Sequence, residues 1–339
     1  MKKILVVNVN WMGDVIFSSP IFKAIKEAYP QAQICCLAPS RIREIVESIP
    51  GIDEMIDFQE KGKHWSPWGK WQLIQELRRR KFDAAFLLHR SLTRALLVFL
   101  AGIPLRVGYD TKGRGIFLTH KVPALNDEKI HRQDHYLKVI ESFGIQVTDR
   151  QSRLMVDKGA QEKVKQILEK NLIRENDVLA VVNPGGNWHL KRWPPQNFSI
   201  LIDRLLKEFK VKVILSGSSQ DVFLAEQITR PLDLKPVILT GQLNLKELMA
   251  LMQRARWVVS ADTGPLHLAN SVGTAVVGIF GPTRPENTGP RGKGPAFILQ
   301  RDIGCNRVPC YYLECPDNTC MQAVTVKDVL DAIQKFQHS

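Results

Sequence analysis

The sequence alternates short, wholly apolar runs with amphipathic helical stretches, and it does so in two successive series. Ile4-Leu5-Val6-Val7 is a continuous apolar run of buried-strand type, followed by a turn at Asn10 to Asp14. After Pro20 a helical stretch carries Ile21, Phe22, Ile25 and Ala28 on one face. The series continues with strand 32–37, helix 41–48, strand 55–58, helix 71–80, strand 82–88 and helix 93–101. A second series begins after a charged helix at 159–171, with strands at 178–182, 211–215, 237–239, 257–260 and 275–280. Helices at 195–209, 221–229, 245–255 and 265–272 separate them, and a last helix spans 326–336. Strands that alternate with helices across short connections imply a parallel sheet covered on both faces. The expected fold is therefore α/β, with two Rossmann-like domains at 1–160 and 161–325 and a C-terminal helical segment at 326–339. Ligands belong in the cleft, at the carboxyl ends of the strands.

At 339 residues the chain has room for two such domains. Hydrophobic residues at 44% and charged residues at 24% exclude a disordered or collagen-like chain. The charge is unusual: 47 Lys and Arg against 34 Asp and Glu leave +13, which favours anionic partners. Nucleic acid is one such partner, but no RRM, KH or zinc-finger module occurs in the sequence. No stretch approaches the roughly 18 apolar residues of a spanning helix, and Met1-Lys2-Lys3 precedes an apolar run too short for a signal peptide. A cytoplasmic location is the expectation.

Three turns carry candidate chemistry. Asn10-Trp11-Met12-Gly13-Asp14 follows the first strand, but it is not G-x-G-x-x-G, and no Walker A sequence occurs. Asp14 is either a helix N-cap or a carboxylate held as general base toward an acceptor hydroxyl. Asn183-Pro184-Gly185-Gly186 with Lys191-Arg192-Trp193-Pro194 follows another buried strand. There glycines permit close approach of an anion and Lys191 offers a compact cation, unless the basic pair is only a solvated loop. Asp262-Thr263-Gly264-Pro265-Leu266-His267 combines a strand end, capping residues and a proline suited to a first helical turn. The free N–H groups and dipole of such a helix form an anion site. His267 is either a ligand contact or a satisfied buried histidine.

These turns, with Val9-Asn10-Trp11-Met12-Gly13-Asp14-Val15-Ile16 first and Phe280-Gly281-Pro282-Thr283 last, stand in the order of a known family. From residue 4 to about 335 the chain resembles glycosyltransferase family 9, the ADP-heptose:lipopolysaccharide heptosyltransferases. The resemblance implies a GT-B fold, two Rossmann-like domains facing across a cleft, with acceptor on the N-terminal and ADP-sugar on the C-terminal domain. It implies an inverting, metal-independent transfer of heptose to the Kdo/heptose–lipid A inner core. No cofactor is implied, because the ADP-sugar is a substrate. Asp14 matches the family's base and Lys191 its diphosphate-holding lysine. Asp262, Thr263, Gly264 and His267 match the donor-binding turn, with Gly185 and Gly186 beside it. Gly13, Lys63, Lys112, Arg114 and Arg132, with His135, are candidates for contacts to an anionic acceptor. The chain departs from the family in two places. Gly185-Gly186 replaces a frequently hydroxylated pair, and no clear counterpart of a ribose-binding acid occurs near Ser219-Gln220-Asp221.

The phosphorylated glycolipid acceptor implies a peripheral association with the inner face of the cytoplasmic membrane. Lys61-Gly62-Lys63-His64-Trp65-Ser66-Pro67-Trp68-Gly69-Lys70-Trp71 suits it, since tryptophan amid lysine is the composition of a bilayer interface. The alternative is tryptophans in the core beside a solvated helix face. Cys305, Cys310, Cys315 and Cys320 recur at a C-x4-C spacing that fits zinc ribbons poorly, so free thiols are expected there. Competing readings are a family 9 transferase for another nucleotide sugar or acceptor, a GT-B-like nucleotide-sugar epimerase, and a sugar-nucleotide-binding protein without catalysis. The last of these has no need of Asp14.

Overall fold

The computed structural model describes residues 1–125, 130–310, 312 and 314–337. The chain divides into two compact units, Met1–Met155 and Val156–Ser339. Residues 338 and 339 of the expected C-terminal segment lie outside the described residues.

Unit 1 is built on six parallel strands: β1 (Lys3–Val7), β2 (Gln33–Ala38), β3 (Glu54–Asp57), β4 (Ala84–Leu87), β5 (Leu105–Tyr109) and β6 (His120–Val122). Their order is β3-β2-β1-β4-β5-β6. Ile4, Leu5, Val6 and Val7 are completely buried, as a central strand covered on both faces requires. Unit 2 repeats the plan with β7 (Leu179–Asn183), β8 (Lys212–Leu215), β9 (Val237–Ile238), β10 (Trp257–Ala261), β11 (Ala275–Ile279) and β12 (Ala296–Leu299). Its order is β12-β11-β10-β7-β8-β9, so each unit is a doubly wound sheet of the same topology. The strand order reverses between β1 and β4 in unit 1 and between β7 and β10 in unit 2. Loops leaving those strands splay apart there and open a crevice at the carboxyl edge.

The helix Val326–Gln337 belongs to the core of unit 2, with Val329, Leu330, Ile333 and Phe336 in one cluster with Trp193, Trp257 and Phe198. The Trp193 indole N–H donates to Val324 O at 2.8 Å, which satisfies the one polar atom that its burial would otherwise strand.

Two differences from the sequence expectation bear on the site. The turn after β1 is shorter than expected: a helix begins at Met12, because Val15, Ile16 and Phe17 must turn inward at once. Strands β5, β6 and β12 and the helix Arg132–Glu141 escape the pattern reading, since β6 has only three residues and two are polar. Two of these elements bear on the unit 1 site: β5 ends in Tyr109, and the helix carries Tyr136.

Candidate functional site

In unit 1 the crevice at the β1/β4 reversal holds the Asn8–Trp11 loop. Arg94, from the helix Leu92–Leu100, is completely buried and organises that loop. It donates from Nη1 to Asn8 O at 2.6 Å and from Nη2 to Asn10 Oδ1 at 2.6 Å. Its guanidinium also lies 4.8 Å over the Phe58 ring, and its Nε reaches Glu60 at 3.3 Å. Arg41 closes the other side by donating to Asn10 O at 2.9 Å.

The helix Met12–Ser18 begins directly beyond this loop, and its N-cap is Trp11, which supplies no side-chain cap. Asp14 therefore sits in the first turn rather than at the cap, where the helix dipole favours a negative charge. Its Oδ1 accepts from the Tyr136 hydroxyl at 2.8 Å. Burial, then the Asp14 charge, raises the Tyr136 pKa well above its ordinary value, so the phenol stays a donor and holds the carboxylate in one orientation.

Two arginines act on the tyrosine that holds this carboxylate. Arg132 opens the Tyr136 helix and is exposed, and its charge and that of Arg90 both reach Tyr136. Arg90 lies 4.8 Å over the Tyr109 ring and 3.3 Å from His135 Nδ1. Burial, followed by the charges of Arg94, Arg114 and Lys112, pushes His89 down to about 4, so it is neutral near pH 7. Lys112 is exposed. Arg114, expected as an acceptor contact, is instead fully buried, donating to the Tyr109 carbonyl at 2.7 Å and to the His89 carbonyl. Only its buried Nη2 finds no partner within hydrogen-bond distance. Gly13 is half-buried beside Asp14, and Lys63 lines a cavity of about 500 Å3 with Trp68, Trp71, Gln72, Glu76 and Arg79.

In unit 2 the corresponding crevice gathers Lys191, Asp262, Thr263, Gly264 and His267. Asp262, only 4% exposed, follows β10 and is the hub. Its Oδ2 accepts from Lys191 Nζ at 2.7 Å, Thr283 Oγ1 at 2.7 Å and Thr288 Oγ1 at 3.1 Å. The His267 Nε2 lies 3.3 Å from Oδ1. Burial alone raises the Asp262 pKa, but the His267 hydrogen bond and the Lys191 charge overcome it and hold the carboxyl well below the usual range. Lys191 spends a second donor on Asp262 O at 3.1 Å. An ammonium has three donors, so one remains for an incoming anion. Beside it starts the helix Gly264–Ser271, with Pro265 in its first turn and Thr263 as an N-cap that makes no side-chain cap bond. A lysine donor next to an open helix N-terminus is the chemistry of a phosphate site.

The glycine loop completes the crevice. A Cβ on Gly185 would lie 2.4 to 2.6 Å from all three carboxyl atoms of Asp221, which explains why a larger residue is excluded there. Asp221 is committed to its own turn, its Oδ2 accepting from Ser218 N at 2.9 Å and Ser218 Oγ at 2.6 Å. Arg192 does not face solvent freely: it donates to Gly186 O at 3.0 and 2.8 Å and lies 3.7 Å from Asp221. The four C-terminal cysteines are free thiols, and among the described residues no group of three or more His, Cys, Asp or Glu is placed to hold a metal.

Tyr136, Arg94, Thr283 and Thr288 were not legible as site residues. Thr283 alone had a signal, its place in Phe280-Gly281-Pro282-Thr283; the others act across 122, 84 and 26 residues of sequence.

The sequence matches glycosyltransferase family 9 (heptosyltransferase) over residues 70–311. It is 27% identical over 319 residues to lipooligosaccharide heptosyltransferase 2 of Haemophilus ducreyi, covering 90% of this chain and 91% of that one. Among solved structures it is similar to the family 9 glycosyl transferase of Veillonella parvula, with a TM-score of 0.88 and 23% identity, covering 99% of this chain and 97% of that one. Similar too is the E. coli ADP-heptose lps heptosyltransferase II, at a TM-score of 0.81 and 23% identity, covering 99% and 98% of the two chains. The likeness in structure extends the GT-B fold to both doubly wound units. With the match in sequence spanning most of the chain, this protein belongs to glycosyltransferase family 9.

Proposed function

We propose that the protein transfers heptose from ADP-heptose to the inner core of lipopolysaccharide, a Kdo/heptose–lipid A acceptor, with inversion at the anomeric carbon. The observation that carries this reading is the state of Asp14: it caps no helix and is held by the Tyr136 hydroxyl at 2.8 Å, a hydroxyl that the charges of Arg132 and Arg90 reach. A carboxylate so held serves as general base toward an acceptor hydroxyl. The relatives named above act on lipooligosaccharide or, with ADP-heptose, on lipopolysaccharide, as their names say, and these substrates are taken over here.

In this account unit 1 supplies base and acceptor surface. Asp14 takes the proton of the acceptor hydroxyl as its oxygen attacks the anomeric carbon and the bond to the β-phosphate breaks. One displacement inverts the centre, and no carboxylate nucleophile is required. Gly13 leaves room beside the base, and Lys112, Arg132 and Lys63 meet the phosphates of the acceptor. Arg114 shapes the same surface from beneath, through the His89 and Tyr109 carbonyls. Unit 2 holds the donor. Lys191, through its remaining donor, and the Thr263-Gly264 helix terminus stabilise the charge that grows on the departing ADP. Asp262 and His267 fix that lysine, and Gly185 and Gly186 let the backbone approach the nucleotide. The account requires no resident metal or cofactor.

One observation leaves a second reading open within the family: Asp221 is committed to Ser218 and adds nothing to the selection of the donor, so another nucleotide sugar competes with ADP-heptose.

The test measures nucleoside diphosphate release from ADP-heptose, with and without a Kdo-containing lipid A acceptor, in EDTA. Acceptor-dependent ADP release that Asp14→Asn abolishes while ADP affinity persists is the expected result. No release with any acceptor, alongside tight ADP binding, overturns the heptosyl assignment and leaves the second reading, which GDP- and UDP-sugars then address.

A further inference from the structure

The segment 61–71 is the least expected feature of unit 1. Its three tryptophans stand out in solvent, Trp65 at 71%, Trp68 at 64% and Trp71 at 49% exposure, while Leu73, Ile74 and Leu77 of the same helix fill the core. Three bulky aromatic side chains left outside in one short segment form an apolar surface that a chain in water ordinarily hides. Their exposure is imposed by the fold. The helix Pro67–Arg80 is capped by Ser66, whose Oγ accepts from Gly69 N at 3.0 Å. Gly69 lies so close to the preceding turn that a Cβ would sit 1.9 Å from Lys63 O. His64 is buried, accepts from Gln59 N at 3.0 Å and stacks on Phe58 at 5.8 Å. Trp68 and Trp71 stack nearly parallel, centroids 5.1 Å apart. The aromatic face is thus rigidly presented.

Its surroundings are cationic. Lys61, Lys63 and Arg79 are exposed and form no ion pair among the described residues, whereas Arg80 is neutralised by Glu54 and Glu76. Lys63 and Arg79 flank the cavity of about 500 Å3 that the stacked tryptophans also line. We propose that this face docks on the surface of an anionic phospholipid bilayer, with Trp65, Trp68 and Trp71 entering the headgroup layer and Lys63 and Arg79 taking a lipid phosphate in the cavity between them. Charge complementarity selects that occupant: rigid tryptophans ringed by unpaired cations match the interface of an anionic leaflet, whereas a protein partner of this basic face gives the tryptophans no headgroup layer to enter.

The position of the face has a consequence for the reaction proposed above, on which this step rests. The segment follows the carboxyl end of β3, and in a parallel sheet that is the edge at which β1 delivers Asp14. Phe58, under His64, also lies beneath Arg94, which holds the Asn8–Trp11 loop. Exposed Trp11 stands on that loop, at 61%. A bilayer seated on this face therefore presents lipid-borne acceptors to the edge that carries the base.

The experiment is co-sedimentation of the full chain with vesicles of phosphatidylcholine alone and of phosphatidylcholine with phosphatidylglycerol, following tryptophan emission in parallel. Binding to the anionic vesicles only, weakened by salt and accompanied by a blue shift, is expected. The triple variant W65S/W68S/W71S loses more than tenfold in partitioning. The double variant K63Q/R79Q loses roughly 25-fold, since each cation near an anionic leaflet is worth about fivefold. Both variants keep the wild-type melting profile, and W65S/W68S/W71S keeps wild-type transfer to a water-soluble, delipidated acceptor analogue. Failure of wild-type transfer to that analogue counts against the catalytic reading alone. Wild-type protein that stays in the supernatant, or a triple variant that binds as well as wild type, overturns the docking proposal. So does a wild-type dimer that the tryptophan changes convert to monomer, because the face then pairs two copies.

Discussion

Asp262→Asn keeps the shape of the hub in unit 2 and removes its charge, which isolates what that charge does. The side chain is 4% exposed and accepts from Lys191, Thr283 and Thr288, with His267 beside it. An asparagine retains one acceptor oxygen, but its amide N–H groups must face donors. Hydrogen bonds to a charged group are worth about 1.5–3 kcal/mol, and breaking a buried pair costs about 3–5 kcal/mol. Lys191 remains 19% exposed and recovers part of its hydration, so the lower end applies and unit 2 loses about 3 kcal/mol. The assay is urea unfolding followed by tryptophan emission. Trp193 and Trp257 are buried in unit 2, whereas Trp11, Trp65, Trp68 and Trp71 of unit 1 are exposed, so the spectral change reports chiefly on unit 2. Combining the change with Lys191→Met gives a coupling of about 1–2 kcal/mol, because the second substitution removes the charge that the first leaves stranded. The sign with pH follows from the depressed carboxyl. Its contribution is present above the ordinary value of 3.8 and is lost as pH falls below it toward the lower folded value. Acidification from about pH 5 therefore destabilises wild-type unit 2 more steeply than Asp262→Asn. A loss under about 0.5 kcal/mol, with strictly additive Lys191→Met, would refute the assignment of Asp262 as the hub.

Three further outcomes are expected. Gly185→Ala forces a methyl into the Asp221 carboxyl and destabilises unit 2 by about 1–3 kcal/mol, with weaker ADP binding by calorimetry. If Ala and Gly behave alike, the close approach is not what selects glycine. Tyr136→Phe deletes one hydrogen bond to Asp14 and lowers kcat roughly 3- to 10-fold while leaving ADP affinity unchanged, against the complete loss given by Asp14→Asn. An unchanged kcat argues that Tyr136 only packs. Arg94→Leu strands Asn8 O and Asn10 Oδ1 in the interior and destabilises unit 1 by about 3–5 kcal/mol, measured by hydrogen exchange of the Asn8–Trp11 amides.

The repeating strand and helix pattern made the doubly wound architecture legible, because a strand buried on both faces leaves an apolar run such as Ile4 to Val7. It was least legible at β5 and β6 of unit 1 and at β12 of unit 2. The strand His120–Val122 is short and two of its three residues are polar, since an edge strand need bury only one side. The site was legible where a turn motif and its chemistry share a few residues, as in Asp262 to His267. Local sequence left Asp14 between cap and base, and the start of its helix removes the cap reading: Val15 to Phe17 bury immediately, so Trp11 becomes the cap. Partners set by tertiary packing were not legible. Tyr136 reaches Asp14 from a helix 122 residues away, and a basic residue such as Arg114 carries no local sign that its guanidinium turns inward. The tryptophans of 61–71 show the converse. Composition suited both burial and exposure, and Gly69 against Lys63 O fixed the outcome.

The most direct test of the central claim is the product itself. The protein is incubated with ADP-heptose and the Kdo-containing lipid A acceptor in EDTA, and the acceptor is examined by mass spectrometry and by NMR at the new glycosidic carbon. The account predicts an acceptor heavier by one heptosyl residue, with the anomeric configuration inverted relative to the donor. A retained configuration contradicts direct displacement with Asp14 as base, and an unmodified acceptor beside consumed donor contradicts heptosyl transfer to the lipopolysaccharide core.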